Sequence, residues 1–135
     1  MFTVTYNSET YILKVYESAY QNDLFPTEVK ARIKLGNAQH VVQMLGVVTH
    51  DSSIDKERYV QGILLEHCTK GDLKSLLKKS DRSIKSSRKK RWAAQIAHGI
   101  LKIHQTGLLH GHLRCQNVVV DHCDNAQLID ITDGT

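Results

Sequence analysis

Apolar and polar positions alternate along the first sixteen residues: TVTYN and TYILKVY switch with period two on either side of NSE, whose Asn7 and Ser8 suit a tight turn. The pattern predicts a β-hairpin ending near Tyr16, with Lys14 on its second strand. The period then changes. In YQNDLFPTEVKARIKLG, Pro26 and Thr27 are start signals, Val29, Ile33 and Leu35 recur among charges, and Gly36 is a stop, so a helix is predicted. HVVQMLGVVTH and RYVQGILLEH are dense in β-branched and aliphatic residues around the polar DSSIDKE, which predicts two strands joined by a loop.

Further on, DLKSLLKK predicts a short helix capped by Asp72, and SDRSIKSS a polar linker. RKKRWAAQIAHGILKIHQTG places Trp92, Ile96, Ile100 and Ile103 on one face of a long helix that ends at Gly107. A strand NVVVD, a turn HCDN and a strand AQLID complete the order β-β-α-β-β-α-α-β-β, an α+β class without repeats or low-complexity segments.

Composition narrows the picture. A length of 135 residues suits one domain, and 24% charged with 41% hydrophobic residues is a globular rather than a disordered balance. The longest apolar run, VVQMLGVV, is broken by Gln43 and Gly46 and falls short of membrane length, and the amino terminus lacks the apolar core of a signal peptide. Cys68, Cys115 and Cys123 cannot all pair within one chain, so reduced thiols and a cytoplasmic location are expected. The net charge of +4 is modest, but ten basic residues lie between positions 70 and 91. The KSSRKKR run at 85–91 reads as a solvated helix start; as a functional element it would be a nuclear-import signal or a phosphate-binding patch.

The candidate chemistry centres on HGHLRCQNVVVD at 110–121. His110, His112, Cys115, His122 and Cys123 are zinc-ligating types, but H-x-H-x-x-C lacks a paired C-x-x-C knuckle. On their own, Lys14 and Glu28 read as surface charges, and Asn117 and Asp130 as turn chemistry at strand ends.

Taken together, a strand lysine, a glutamate on the next helix, and an asparagine and an aspartate around a late hairpin resemble the protein kinase set. YILK is similar to the V-A-I-K strand, FPTEV to the helix carrying the glutamate, and ILLEHCTKGDL to the hinge. HGHLRCQN is similar to the H-R-D-L-K-x-x-N loop and LIDIT to L-x-D-F-G, so the resemblance covers nearly the whole chain. QGILLEH and LIDIT are most like the divergent kinases of fungi.

The resemblance implies that Lys14 holds nucleotide phosphates and pairs with Glu28, that Asn117 and Asp130 hold Mg2+, and that Ile12, Leu65, Glu66 and Cys68 line the adenine slot of ATP. It implies an incomplete kinase-like fold: a small-lobe portion at 1–66, then a hinge and part of the large lobe at 67–135. Only thirteen residues precede Lys14, so the glycine-rich loop is expected to be missing. The departures are chemical. His112 stands at the position of the catalytic aspartate, Arg114 at that of the lysine two residues on, Ile131 and Thr132 at those of the phenylalanine and glycine of D-F-G.

The expectation is therefore a pseudokinase-like or remnant domain, inactive in phosphoryl transfer, binding ATP and Mg2+ weakly or not at all. On its long helix Trp92, Ile96 or Ile100 would be partly exposed, open to a protein partner or to self-association. The competing readings are an active or partly active kinase using His112, whether whole or part of a longer one, and a basic nucleic-acid- or anion-binding protein working through 85–91.

Overall fold

In the computed structural model, which describes residues 1–15, 27–51, 53–54, 56, 58–80, 82–109 and 113–131, the first strands β1 (Phe2–Tyr6) and β2 (Glu9–Val15) are joined by Asn7 and Ser8 alone. Both turn residues adopt left-handed φ, 50° and 65°, the conformation whose twist matches that of paired strands. The predicted strand end at Tyr16 and the front of the predicted helix, through Pro26, lie outside the described residues. Helix α1 (Thr27–Leu35) closes on Gly36, which takes φ +65° and donates its N–H to the Arg32 carbonyl at 2.9 Å. Strands β3 (Met44–Asp51) and β4 (Arg58–Glu66) complete an antiparallel sheet of order β1-β2-β4-β3.

The strand expected from His40 starts later, at Met44. His40 takes φ 65°, and residues 40–42 turn aside to run along β7 (Ala126–Leu128). Leu128 donates its N–H to the His40 carbonyl at 3.0 Å, and its own carbonyl accepts the N–H of Val42 at 2.8 Å. This pairing stitches the first half of the chain to the last.

The second half holds β5 (Gly71–Asp72), α2 (Leu73–Ser80), α3 (Ser86–Gln105), a 3-10 turn (Cys115–Asn117) and β6 (Val118–Val120), with a second sheet of order β5-β6-β7. Asp72 caps α2 as its sequence suggests: its carboxylate accepts the Ser75 N–H at 2.9 Å and the Ser75 hydroxyl at 2.8 Å. Two residues are too few for periodicity to reveal β5. The linker before α3 is less polar in effect than in composition, since Ile84 is buried in the core.

Two apolar clusters form that core. One gathers Trp92, Ile103, Val118, Val120, Leu128 and Ile131 under α3; the other gathers Val29, Val42, Ile63, Leu65, Cys68 and Ile129 under the larger sheet. Consecutive residues supply opposite clusters twice, Val41 with Val42 and Leu128 with Ile129, because successive side chains of extended backbone point to opposite sides. Of the three residues expected to be partly exposed on α3, Ile96 and Ile100 are so and Trp92 is not. Trp92 is 2% exposed, with the Asp124 turn folded over it: its indole N–H donates to the Asp124 carbonyl at 3.0 Å. Ile96 and Ile100 are partly buried against the same cluster. The apolar residues of α3 that face outward are Ala93, Ala94, Ala97 and Leu101.

Candidate functional site

Strand β2 presents Ile12 and Lys14 two residues apart, hence on one face, where they pair in register with Leu65 and Ile63 of β4. Helix α1 offers Glu28 in its first turn, a position where the helix dipole favours a carboxylate. Asp130 follows β7 by two residues. The three side chains meet: Lys14 Nζ lies 2.6 Å from Glu28 Oε2 and 3.2 Å from Asp130 Oδ1. Glu28 is nearly buried, whereas Lys14 and Asp130 keep 25% and 30% of their side-chain surface, so the pair remains reachable from solvent.

Asn117 ends the 3-10 turn, and its carbonyl accepts the Ile129 N–H at 3.2 Å beside the Val118–Leu128 register pair. Asn117 and Asp130 thus sit at the same end of the β6–β7 hairpin. Arg114, exposed, precedes the turn and accepts the Asn117 N–H on its carbonyl at 2.9 Å. His112 lies outside the described residues, as do His110 and Thr132. Among the described residues no group of three or more His, Cys, Asp or Glu is placed to hold a metal, and Cys115 and Cys123 are free thiols.

A cavity of about 280 Å3 is lined by residues of both sheets, Phe2, Ile12, Leu65, Glu66, Cys68, Val119 and Ile129 among others, of which Ile12 is two residues from Lys14 and Ile129 precedes Asp130. The expected Ile12, Leu65, Glu66 and Cys68 therefore line the same cavity. Glu66 is fixed by Gln43: its carboxylate accepts the Gln43 N–H at 2.9 Å and its own N–H donates to the Gln43 carbonyl at 3.0 Å. Burial pushes the Cys68 thiol up to about 12, with Glu66 and Asp121 adding repulsion, so it is a neutral, apolar part of the lining.

Sequence reasoning missed Val119 and Ile129; alternation in NVVVD, with Val118 and Val120 in the α3 core, is the signal that would have turned Val119 toward the cavity. It also missed Arg32, which is buried and pairs with Glu28 one turn earlier, Nη2 to Oε1 at 3.1 Å. Its i, i+4 spacing from Glu28 was the available sign.

The family profile described as protein tyrosine and serine/threonine kinase matches residues 5–134. The chain belongs to that family. Among similar proteins, guanylate cyclase 2D of Rattus norvegicus is 28% identical over 118 residues, covering 86% of this chain and 10% of that protein. Mitogen-activated protein kinase kinase kinase dlk-1 of Caenorhabditis elegans is 28% identical over 109 residues, 81% of this chain and 11% of the relative. Fatty acyl-CoA synthetase and RNA processing-associated kinase 1 of Saccharomyces cerevisiae is 25% identical over 128 residues, 95% of this chain and 14% of the relative. The chain spans between about a tenth and a seventh of the length of these curated relatives.

As a kinase-family domain the chain keeps the strand lysine in contact with both the helix glutamate and the late aspartate. That trio and the mainly apolar cavity fit the nucleotide and magnesium ion that the family implies: an ammonium for phosphate oxygens, a partly exposed carboxylate for a hard cation, and apolar side chains for a base. Among the described residues, no helix is long and apolar enough to cross a membrane.

Proposed function

We propose that this kinase-family chain holds an adenine nucleotide weakly and does not transfer its phosphate. The observation that carries the reading is Lys14 bonded to both Glu28 and Asp130, while Ile12, two residues before Lys14 on β2, and Ile129, the residue before Asp130, line the cavity with Leu65 and Val119. Lys14 would hold phosphate oxygens, with Glu28 keeping it in place. Asn117 and Asp130 would take the magnesium ion, which neutralises phosphate charge when bound. Binding is weak because the cavity, about 280 Å3, lies just below the roughly 300–1,000 Å3 of most small-molecule sites, and Ile12 occupies part of it where the family carries a smaller side chain. Transfer is absent because the aspartate that would take the substrate proton is His112 in this sequence. A neutral imidazole is a poor replacement for that anion, and an imidazolium is repelled by magnesium.

A thermal-shift titration with ATP, with and without magnesium, is the test, since a ligand that binds only the folded state raises its stability by mass action; at a concentration equal to Kd the gain is only about 0.4 kcal/mol. The expected result is a small, mostly magnesium-dependent stabilisation that Lys14→Met removes. Labelled ATP should leave no phosphate on generic protein substrates. Incorporation that disappears in both Lys14→Met and His112→Ala would replace this reading with that of an active kinase.

A further inference from the structure

Arg32 lies on the inward side of α1 with 5% of its surface exposed, and its single guanidinium reaches three parts of the chain. Nε and Nη2 lie 3.2 and 3.1 Å from Glu28 Oε1, Nη1 donates to the Val42 carbonyl at 2.7 Å, and Nη2 donates to the Ile129 carbonyl. A buried charge is retained only where partners replace its lost water, and a planar fork of donors suits one carboxylate and two carbonyls better than an ammonium would. Both carbonyls belong to segments that build the site. Val42 pairs through its N–H with Leu128, Ile129 pairs through its N–H with Asn117, and the residue after Ile129 is Asp130.

We infer that Arg32 is a positioning residue: it ties α1 to the strand end leading into Asp130, so that Glu28 and Asp130 are presented to Lys14 together whether or not a ligand is bound. For its consequence in ligand binding, this inference rests on the nucleotide reading above. Helix α1 cannot swing away from the sheet without stripping Arg32 from the Val42 and Ile129 carbonyls and leaving a guanidinium and two acceptors without their partners. Sharing Glu28 between Lys14 and Arg32 has a second effect. When Lys14 turns toward a phosphate, Glu28 keeps a cation beside it, and the move leaves no buried carboxylate stranded.

Amide hydrogen exchange on the full chain tests the tie without any ligand. In Arg32→Met, which keeps the length and removes the donors, the Ile129 and Val42 amides are expected to exchange about tenfold faster, as the loss of a buried donor implies, while amides in the middle of α3 keep their rates. Arg32→Lys, which retains the charge but not the fork, should fall between. Unchanged rates at Ile129 and Val42, or an acceleration spread equally over α3, would overturn the inference. In the unsubstituted protein the Arg32 guanidinium N–H resonances should be protected from solvent, with the Nη protons showing contacts to Val42 and Ile129. Rapidly exchanging resonances lacking those contacts overturn the inference even if neither variant folds.

ATP stabilisation adds a readout that a general loss of stability would not give. Arg32→Met should lose more of the magnesium-dependent part than of the magnesium-independent part, because Asp130 is displaced whereas Val42 and Ile129 are only two of the residues that line the cavity. Equal loss of both parts counts against the positioning role. If the unsubstituted protein shows neither part, the nucleotide reading fails alone, and exchange still decides the role of Arg32.

Discussion

Burial rather than position in sequence separates the three cysteines. Cys68 sits in the cavity wall with its thiol pushed up to about 12, whereas Cys115 and Cys123 are exposed. Since the thiolate is the reactive form, an aromatic disulfide reagent at neutral pH should label Cys115 and Cys123 promptly and Cys68 only as the chain unfolds. Three equally fast thiols would mean that the cavity wall is open. The pH dependence follows in sign. The folded Cys68 thiol ionises later than the unfolded one, ordinarily near about 8.5, so the folded state loses stability as pH rises from there toward about 12, and Cys68→Ala should flatten that slope. At this scale Lys14, Glu28 and Asp130 were legible because each stands in a recognisable local context. Arg32 was not, because a charge in mid-helix normally signifies solvent.

Helix α3 begins against its own electrostatics. Its first turns carry Arg88, Lys89, Lys90 and Arg91 and no acidic residue, although the amino-terminal end of a helix dipole favours negative charge. The missing charge arrives from the β6–β7 turn. Asp124, at φ 65°, accepts from Arg88 Nε at 2.7 Å and Nη2 at 2.6 Å, from Lys70 Nζ at 3.0 Å and from Arg91, while the Arg88 guanidinium lies 4.7 Å from the centre of the Trp92 ring. The Arg88 bond, assisted by Lys70 and opposed by partial burial, holds the Asp124 carboxyl well below the usual carboxylate range. A lowered folded-state value contributes stability above the unfolded pKa of about 3.9, and that stability is lost as pH falls further through the folded value. Asp124→Asn should therefore cost about 2 kcal/mol at pH 7, as for a hydrogen bond to a charged group. The gap between variant and parent, read from urea midpoints, should close below about pH 4. A gap that is absent at pH 7, or that widens in acid, would contradict the clamp. The basic run was plain in the sequence; its partner, 36 residues from Arg88, was not.

Over the whole molecule, the two apolar clusters are linked through residues 40–42 and β7, and α3 crosses that junction at Gly99. A Cβ there would meet the His40 carbonyl oxygen at 2.8 Å and Leu128 Cδ1 at 2.9 Å, and the first of these is backbone that cannot rotate away. Gly99→Ala should destabilise by about 1–3 kcal/mol, the usual cost of overpacking. Because the junction belongs to both clusters, fluorescence of Trp92, the sole tryptophan, should move together with the far-ultraviolet dichroism of the sheets in a single transition, in parent and variant alike. Separate midpoints would show that the clusters unfold independently.

Local pattern determined the hairpin at Asn7–Ser8, the strands that became β4, β6 and β7, the Asp72 cap and the long helix, because each follows from periodicity or turn chemistry within a few residues. Motif order was enough to point to the kinase family and to Lys14, Glu28 and Asp130. Tertiary structure alone decided where the apolar face of α3 goes, why residues 40–42 leave their strand for β7, and what a buried Arg32 is for. Each of those outcomes depends on a partner distant in sequence, 32 residues away for Trp92 and Asp124 and 97 for Arg32 and Ile129. Such contacts form only when elements pack, since desolvation of a tryptophan or a guanidinium is set by what closes over it, and periodicity within one element carries no record of that.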